Sequence, residues 1–325
     1  MVDMTDIHIH LVTQLPQTGW FEGFTMRSNG HILVSRLDDP VLYTFDTKDK
    51  NADPQELHRF TDATSLINLC PLLGRHDEYA VISGRPDIET MQFDNRDYKV
   101  WRVALSDAGV TVTKIADLDD YGFAIGIMPA GEHALLVADS SRNRICAIDI
   151  ATGVSSVLVE DASMKAAEGE AFGLNRLRIV DGFVWFTNTS AGTLSRFPIS
   201  VDGARVTATG PVQLLCDDIQ QCDGLAVATD GSTVWTASMA RDRLLQITIT
   251  EEGGEVHAST TCIKEDLYSP TAVGYMSKDG KPLLYVVCNG ERAKEQAWIK
   301  KEASNPWVGF QNVTKSVEVS VVVEE

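Results

Sequence analysis

Apolar and polar positions alternate in short runs along most of the chain, and nearly every run ends in a turn pair. In FGLNRLRIVDGFVWFTNTS, Phe172 to Ser190, the residues Leu174, Leu177, Ile179 and then Val184, Trp185 and Phe186 suit half-buried strands. Asp181-Gly182 supplies the hairpin turn between them. Asn175 is polar at the start of an otherwise apolar strand. The arrangement recurs, with Glu22 followed by Asn29-Gly30, Asp223 by Asp230-Gly231 and Thr271 by Asp279-Gly280. Such a pattern predicts repeated copies of one supersecondary unit.

In chain order, residues 18 to 46 predict a meander: a strand led by Glu22, a strand from His31 to Arg36, a turn at Asp38-Asp39-Pro40 and a strand from Val41 to Phe45. A second, less regular unit has two strands between Thr64 and Gly84, a polar loop from Arg85 to Asp97, and strands from Tyr98 and Val110. The third unit, Tyr121 to Asp161, shows four strands with turns near Ala130-Gly131, Ser140 to Asn143 and Thr152-Gly153, and carries Ile125 where its neighbours are polar. Asn175, Asp223 and Thr271 lead the remaining three. Strand-opening positions 22, 66, 125, 175, 223 and 271 are 44 to 59 residues apart, the scale of one propeller blade. The expected fold is all-β, a single six-bladed β-propeller domain over residues 1–325 with blade cores at about 18–290 and a short C-terminal extension. Strands near 7–15, near 316–323, or both, would close the ring, because an open propeller exposes sheet edges. Between them, Arg292 to Glu302 has helical composition.

Composition narrows the function classes. The 325 residues are 44% hydrophobic, enough for a substantial core, and the formal charge of −18 argues against partners held through phosphate neutralisation or an anionic membrane surface. Neither nucleic acid nor membrane is an expected partner; a small-molecule substrate is, and the sequence leaves the oligomeric state open. The N-terminus has acidic residues where a secretory signal is basic, and no apolar run approaches the roughly 20 residues of a membrane helix, so a soluble cytoplasmic protein is expected. Six scattered cysteines without a CxxC pair read as reduced, buried thiols. His8 and His10 share a strand face, but without a third ligand nearby a solvated face is the plainer reading. No GxSxG, HExxH, Walker or GxGxxG motif supports a serine hydrolase, zinc protease, NTPase or dinucleotide enzyme.

The succession FEGFTMRSNGHILV, FGLNRLRIVDGFVWFTN and CDGLAVATDGSTVWTAS resembles the senescence marker protein/gluconolactonase/luciferin-regenerating-enzyme-like six-bladed propellers, in their fungal branch, over roughly residues 7 to 290. That resemblance implies a divalent cation at the mouth of the central channel, held by Glu22, Asn175 and Asp223. Two carboxylates and an amide oxygen form a hard-oxygen set suited to calcium or magnesium. The plainer alternative makes Glu22-Gly23 and Asp223-Gly224 turn residues and Asn175 a backbone cap.

Two departures from the family pattern bear on function. Hydrolytic relatives usually have Asn where this chain has Ile125, and Arg176 follows Asn175 where the fungal pattern commonly has Gly. An apolar side chain and a bulky cation point to a pocket remade for a larger, less polar ligand. Alternatively, Arg176 faces solvent. The favoured reading is a non-hydrolytic enzyme of fungal secondary metabolism, a cyclase of hetero-Diels–Alder type coupled to dehydration of a hydroxylated precursor to a quinone methide. Glu22 or Asp223 would act as the acid, Arg176 would stabilise an oxygen anion, and Trp20, Ile125, Asn175 and Thr271 would line the substrate site, with no cofactor. The alternatives are a lactonase using the divalent cation, and a non-enzymatic scaffold.

Overall fold

Asp181 and Gly182 both adopt positive φ, 49° and 72°, which is the twist-matched hairpin turn that the Asp-Gly pair favours. Antiparallel strands joined by turns build each blade among the described residues. The computed structural model describes residues 7–15, 19–48, 54–88, 90, 93–94, 97–171, 173–278, 281–289 and 316–323. After β1 (Ile7–Leu15), the first blade is β2 (Phe21–Met26), β3 (His31–Arg36), β4 (Val41–Asp46) and β5 (Gln55–Arg59). The second is β6 (Ser65–Pro71), β7 (Glu78–Gly84), β8 (Lys99–Ser106) and β9 (Gly109–Asp117), and the third β10 (Ala124–Pro129), β11 (Ala134–Asp139), β12 (Arg144–Asp149) and β13 (Ser155–Glu160). The fourth holds β14 (Leu174–Val180), β15 (Phe183–Asn188), β16 (Thr193–Asp202), β17 (Arg205–Ala208) and β18 (Gln213–Cys216). The fifth is β19 (Cys222–Val227), β20 (Thr233–Ser238), β21 (Arg243–Glu252) and β22 (Glu255–Lys264).

The molecule is therefore an all-β propeller, with a correction to the expected count of six blades. Five blades are runs of consecutive strands. The remaining sheet is a composite, in which β23 (Pro270–Lys278) and β24 (Lys281–Cys288) are completed by β25 (Ser316–Val323) and then β1. Strands from both ends of the chain enter it, because covering the outer edge of β24 takes chain from elsewhere. The helical stretch expected at Arg292 to Glu302 lies outside the described residues. Among those described, no helix is long and apolar enough to cross a membrane. All six cysteines are free, and five are buried.

Packing explains the ring. Leu33 and Leu42 of the first blade meet Leu66, Leu69 and Val81 of the second, while Phe21, Ile32 and Val34 meet Ala272 and Val287 of the composite sheet. On the other side of that sheet, Val273, Leu284 and Val286 pack on Trp235 and Leu244 of the fifth blade. Two hydrogen bonds fasten the junction of first and last inner strands: Phe21 N donates to Asn289 Oδ1 at 2.9 Å, and Thr271 Oγ1 donates to Phe21 O at 2.8 Å.

Every inner strand carries a break in register near its start, between Phe21 and Phe24, Leu66 and Asn68, Ala124 and Gly126, Leu174 and Leu177, Cys222 and Leu225, and Pro270 and Ala272. Bulges re-aim side chains and leave ladder groups unpaired. In three blades a buried hydroxyl on the second strand fills the gap. Ser35 Oγ bonds Gly23 N and O, Thr187 Oγ1 accepts from Arg176 N, and Thr236 Oγ1 donates to Gly224 O. The glycines after Glu22 and Asp223 are required by close approach. A Cβ on Gly23 would lie 2.9 Å from Asn68 Cα, and one on Gly224 would lie 2.5 Å from Val273 N. Gly224→Ala is therefore expected to cost about 1–3 kcal/mol through overpacking against backbone. Urea unfolding measures this, and unchanged stability would contradict the packing described.

Candidate functional site

Glu22, Ile125, Asn175, Asp223 and Thr271 are each the second residue of an inner strand, as is Leu66. The common position and the shared bulge bring their side chains or backbone to the axis of the ring. Arg176 Nη2 donates to Glu22 Oε1 at 2.6 Å and to Glu22 O at 2.7 Å, and its Nε stands 3.4 Å from Asp223 Oδ1. Trp20 Nε1 donates to the other Glu22 oxygen at 2.8 Å. Asn175 Nδ2 donates to Thr189 Oγ1 at 2.8 Å and to Asp223 Oδ1 at 3.1 Å, leaving its own Oδ1 buried without a partner. The three charged side chains are no more than 7% exposed.

The sequence left Arg176 with two directions, and the bulge decides between them. In a regular strand, Asn175 and Arg176 would face opposite sides of the sheet. The register break from Leu174 to Leu177 lets both contribute to the axis.

Burial disfavours charge on the carboxyls, and that sets their acidities. It pushes Glu22 up, while Arg176 and the Trp20 hydrogen bond pull it back. Asp223 goes well above the ordinary carboxylate range, first through burial and then through the nearby Glu22 charge, with Arg176 opposing. One cation between two carboxyls favours charge on one and a proton on the other, and Asp223 is the one pushed well above its ordinary range.

Two spaces flank this cluster. Towards the strand starts lies a small pocket of about 10 Å³, walled by Trp20, Leu37, Phe93, Phe123, Ile125 and Met239 around Glu22, Asn175 and Asp223. That is close to the minimum for one water. Towards the strand ends lies a channel cavity of about 210 Å³ that reaches Glu22 and Arg176. Thr271 lines neither space, since its hydroxyl is used in the ring-closing bond to Phe21.

The donors Glu22, Asn175 and Asp223 do converge, but they do not fit a divalent cation in this arrangement. Arg176 already bonds one Glu22 oxygen and Trp20 the other, and Asn175 turns its amide nitrogen to Asp223. The guanidinium takes the electrostatic place of the ion.

Asn68 escaped the sequence pattern. It lies two residues after Leu66, lines the larger cavity, donates to Ile125 O at 3.0 Å and accepts from Leu69 N. A polar residue inside SLINLCP is its only sequence signal.

These features place the chain among known architectures. The chain is a β-propeller. Luciferin-regenerating enzyme matches it with a TM-score of 0.64 over 98% of this chain and 95% of its own, at 10% identity. The PQQ-bound aldose sugar dehydrogenase of Streptomyces coelicolor matches with 0.58 over 97% and 98%, at 12% identity. Virginiamycin B lyase of Staphylococcus aureus gives 0.54 over 86% and 81%, at 15% identity. At these identities the likeness is one of fold. No protein-family model and no curated protein matches the sequence.

Asp223→Asn tests the assignment of the proton. Because the folded value of Asp223 is raised, the native protein keeps a proton that the unfolded chain releases, so wild-type stability falls as pH rises through that interval. An amide at this position has no such loss. Relative to wild type, the variant should gain stability from about pH 4 upward, read by urea unfolding at several pH values; a constant difference would place the proton elsewhere.

Proposed function

We propose that this propeller is a small-molecule enzyme that works by proton transfer without a metal ion, of lyase or cyclase class. The observation that carries the reading is the placement of Asp223 against an apolar wall beside the Arg176–Glu22 ion pair, where burial and the nearby Glu22 charge raise its pKa and so favour the protonated form. A neutral carboxylic acid at neutral pH is suited to protonating a departing hydroxyl. In a dehydration of an ortho-hydroxybenzyl alcohol, Asp223 gives its proton to the benzylic hydroxyl, which leaves as water. The phenolic proton passes to the Glu22 carboxylate, which Arg176 holds in place, and transfer from Glu22 back to Asp223 restores the resting state. The product is a quinone methide. Capture of that product by an alkene in a hetero-Diels–Alder reaction, in fungal secondary metabolism, is the finer form of the proposal. It draws support from the apolar wall that Ile125 completes, and it requires that wall to open, since the pocket as arranged holds about 10 Å³.

One observation favours a second reading. Asn175 Oδ1 is a buried acceptor without a donor, and an amide oxygen in that state suits a cation ligand. A lactonase of this kind would need Arg176 to withdraw so that Glu22, Asn175 and Asp223 could hold calcium or magnesium.

Turnover of ortho-hydroxybenzyl alcohols, read by trapping the quinone methide with an enol ether, is compared with hydrolysis of gluconolactone, each with and without chelator. Dehydration insensitive to chelator and reduced about 10²–10⁴-fold in Asp223→Asn is the expected result. Its rate should fall as pH rises through the raised value of Asp223, because the acid form is the active one. Lactone hydrolysis abolished by chelator would replace this reading with the second.

A further inference from the structure

The larger cavity has a floor that the acid–base reading does not use. Arg178 lies on β14 two residues beyond Arg176 and turns towards the axis, half-buried. Its Nη1 donates to Leu177 O at 2.8 Å and reaches Met128 Sδ at 3.6 Å, while its Nη2 donates to Val273 O at 3.0 Å. Three of five donors thus meet protein acceptors, one of them a weak thioether. No carboxylate pairs with Arg178 among the described residues.

That lack of a partner is informative in a protein of formal charge −18, where other buried or half-buried arginines do have acidic partners. Arg27 pairs with Asp77, Arg36 with Asp38, and Arg196 with Glu251. Burial and the neighbouring Arg176 lower the pKa of Arg178 to about 10, which still leaves it charged at neutral pH. The ionised groups lining the cavity are then two guanidiniums against the single carboxylate of Glu22, while burial keeps the Cys70 thiol neutral. The remaining wall is largely apolar or soft, with Phe24, Met26, Met128, Tyr275 and Met276 around about 210 Å³. This is smaller than the roughly 300 Å³ at which pockets for drug-sized ligands begin.

We propose that the strand-end half of the channel is a binding site for a small organic anion, a carboxylate or phenolate on a single aromatic ring. Its charge is held by the free donors of Arg178 and its ring by Phe24, Met26 and Met128. A forked guanidinium suits a two-oxygen anion, and methionine sulfur suits an aromatic edge. The site shares Glu22 with the pocket of Asp223 but does not include Asp223, and it stands without the proposed reaction.

Benzoate and its neutral analogue benzamide test this on the full chain at low salt, by calorimetric titration and thermal unfolding. Benzoate is expected to raise the melting temperature and to bind about tenfold or more tightly than benzamide. Arg178→Gln should weaken benzoate by about tenfold or more, and Arg178→Lys should keep part of the affinity. Asp223→Asn should leave benzoate affinity unchanged, which separates this site from the catalytic proposal. No benzoate binding, equal binding of benzamide, or benzoate affinity lost in Asp223→Asn but kept in Arg178→Gln would each overturn the proposal. The comparison of benzoate with benzamide on wild type needs no variant, so a failure of Arg178→Gln to fold leaves the test intact.

Discussion

Arg176 and Glu22 meet across the axis of the ring at 2.6 Å, both almost fully buried, and the remaining features of the site follow from that contact. Taking two charges out of water costs several kcal/mol per ion, which the pair recovers only with good geometry and further hydrogen bonds. Here those come from Glu22 O and from Trp20. With the Arg176 guanidinium engaged by Glu22, Asp223 is left in a low-dielectric place beside a negative charge, and both raise its pKa and favour its protonated form. Removing Arg176 would reverse the logic, since two adjacent carboxyls and an amide oxygen would then favour a hard cation.

The backbone makes this arrangement possible. Register breaks near the start of each inner strand turn selected side chains to the axis, and hydroxyls of Ser35, Thr187 and Thr236 restore hydrogen bonds that the breaks disturb. Close approach of neighbouring inner strands demands glycine after Glu22 and Asp223. After Asn175 the chain has arginine instead, and its side chain stands between a small pocket on one side and a wider channel on the other.

Much of the fold was legible because its signals are local. Turn pairs such as Asp181-Gly182 and alternation such as that in His31–Arg36 depend on neighbours in sequence, and the strands appear where those signals place them. Polar outer strands were harder. Gln55–Arg59, QELHR, buries too little to show an apolar period, and nothing local distinguishes it from a loop. The strands near 7–15 and 316–323 that were expected to close the ring both do so, while their order beside β24 depends on pairing between chain ends, which no local pattern encodes. At the site, the common strand position identified Glu22, Asn175 and Asp223, while Asn68 was missed because position counting from Leu66 takes no account of the bulge. The ion pair itself was not legible, since simple alternation would put Asn175 and Arg176 on opposite faces.

Arg176 occupies the space between Glu22 and Asp223 that a cation would need. Calcium titration of the metal-stripped protein by calorimetry, wild type against Arg176→Gly, probes this. Wild type is expected to bind no stoichiometric calcium and the variant to bind it, because Glu22 and Asp223 there lose their counter-charge. Stoichiometric binding by wild type, with Arg176→Gly no tighter, would contradict it.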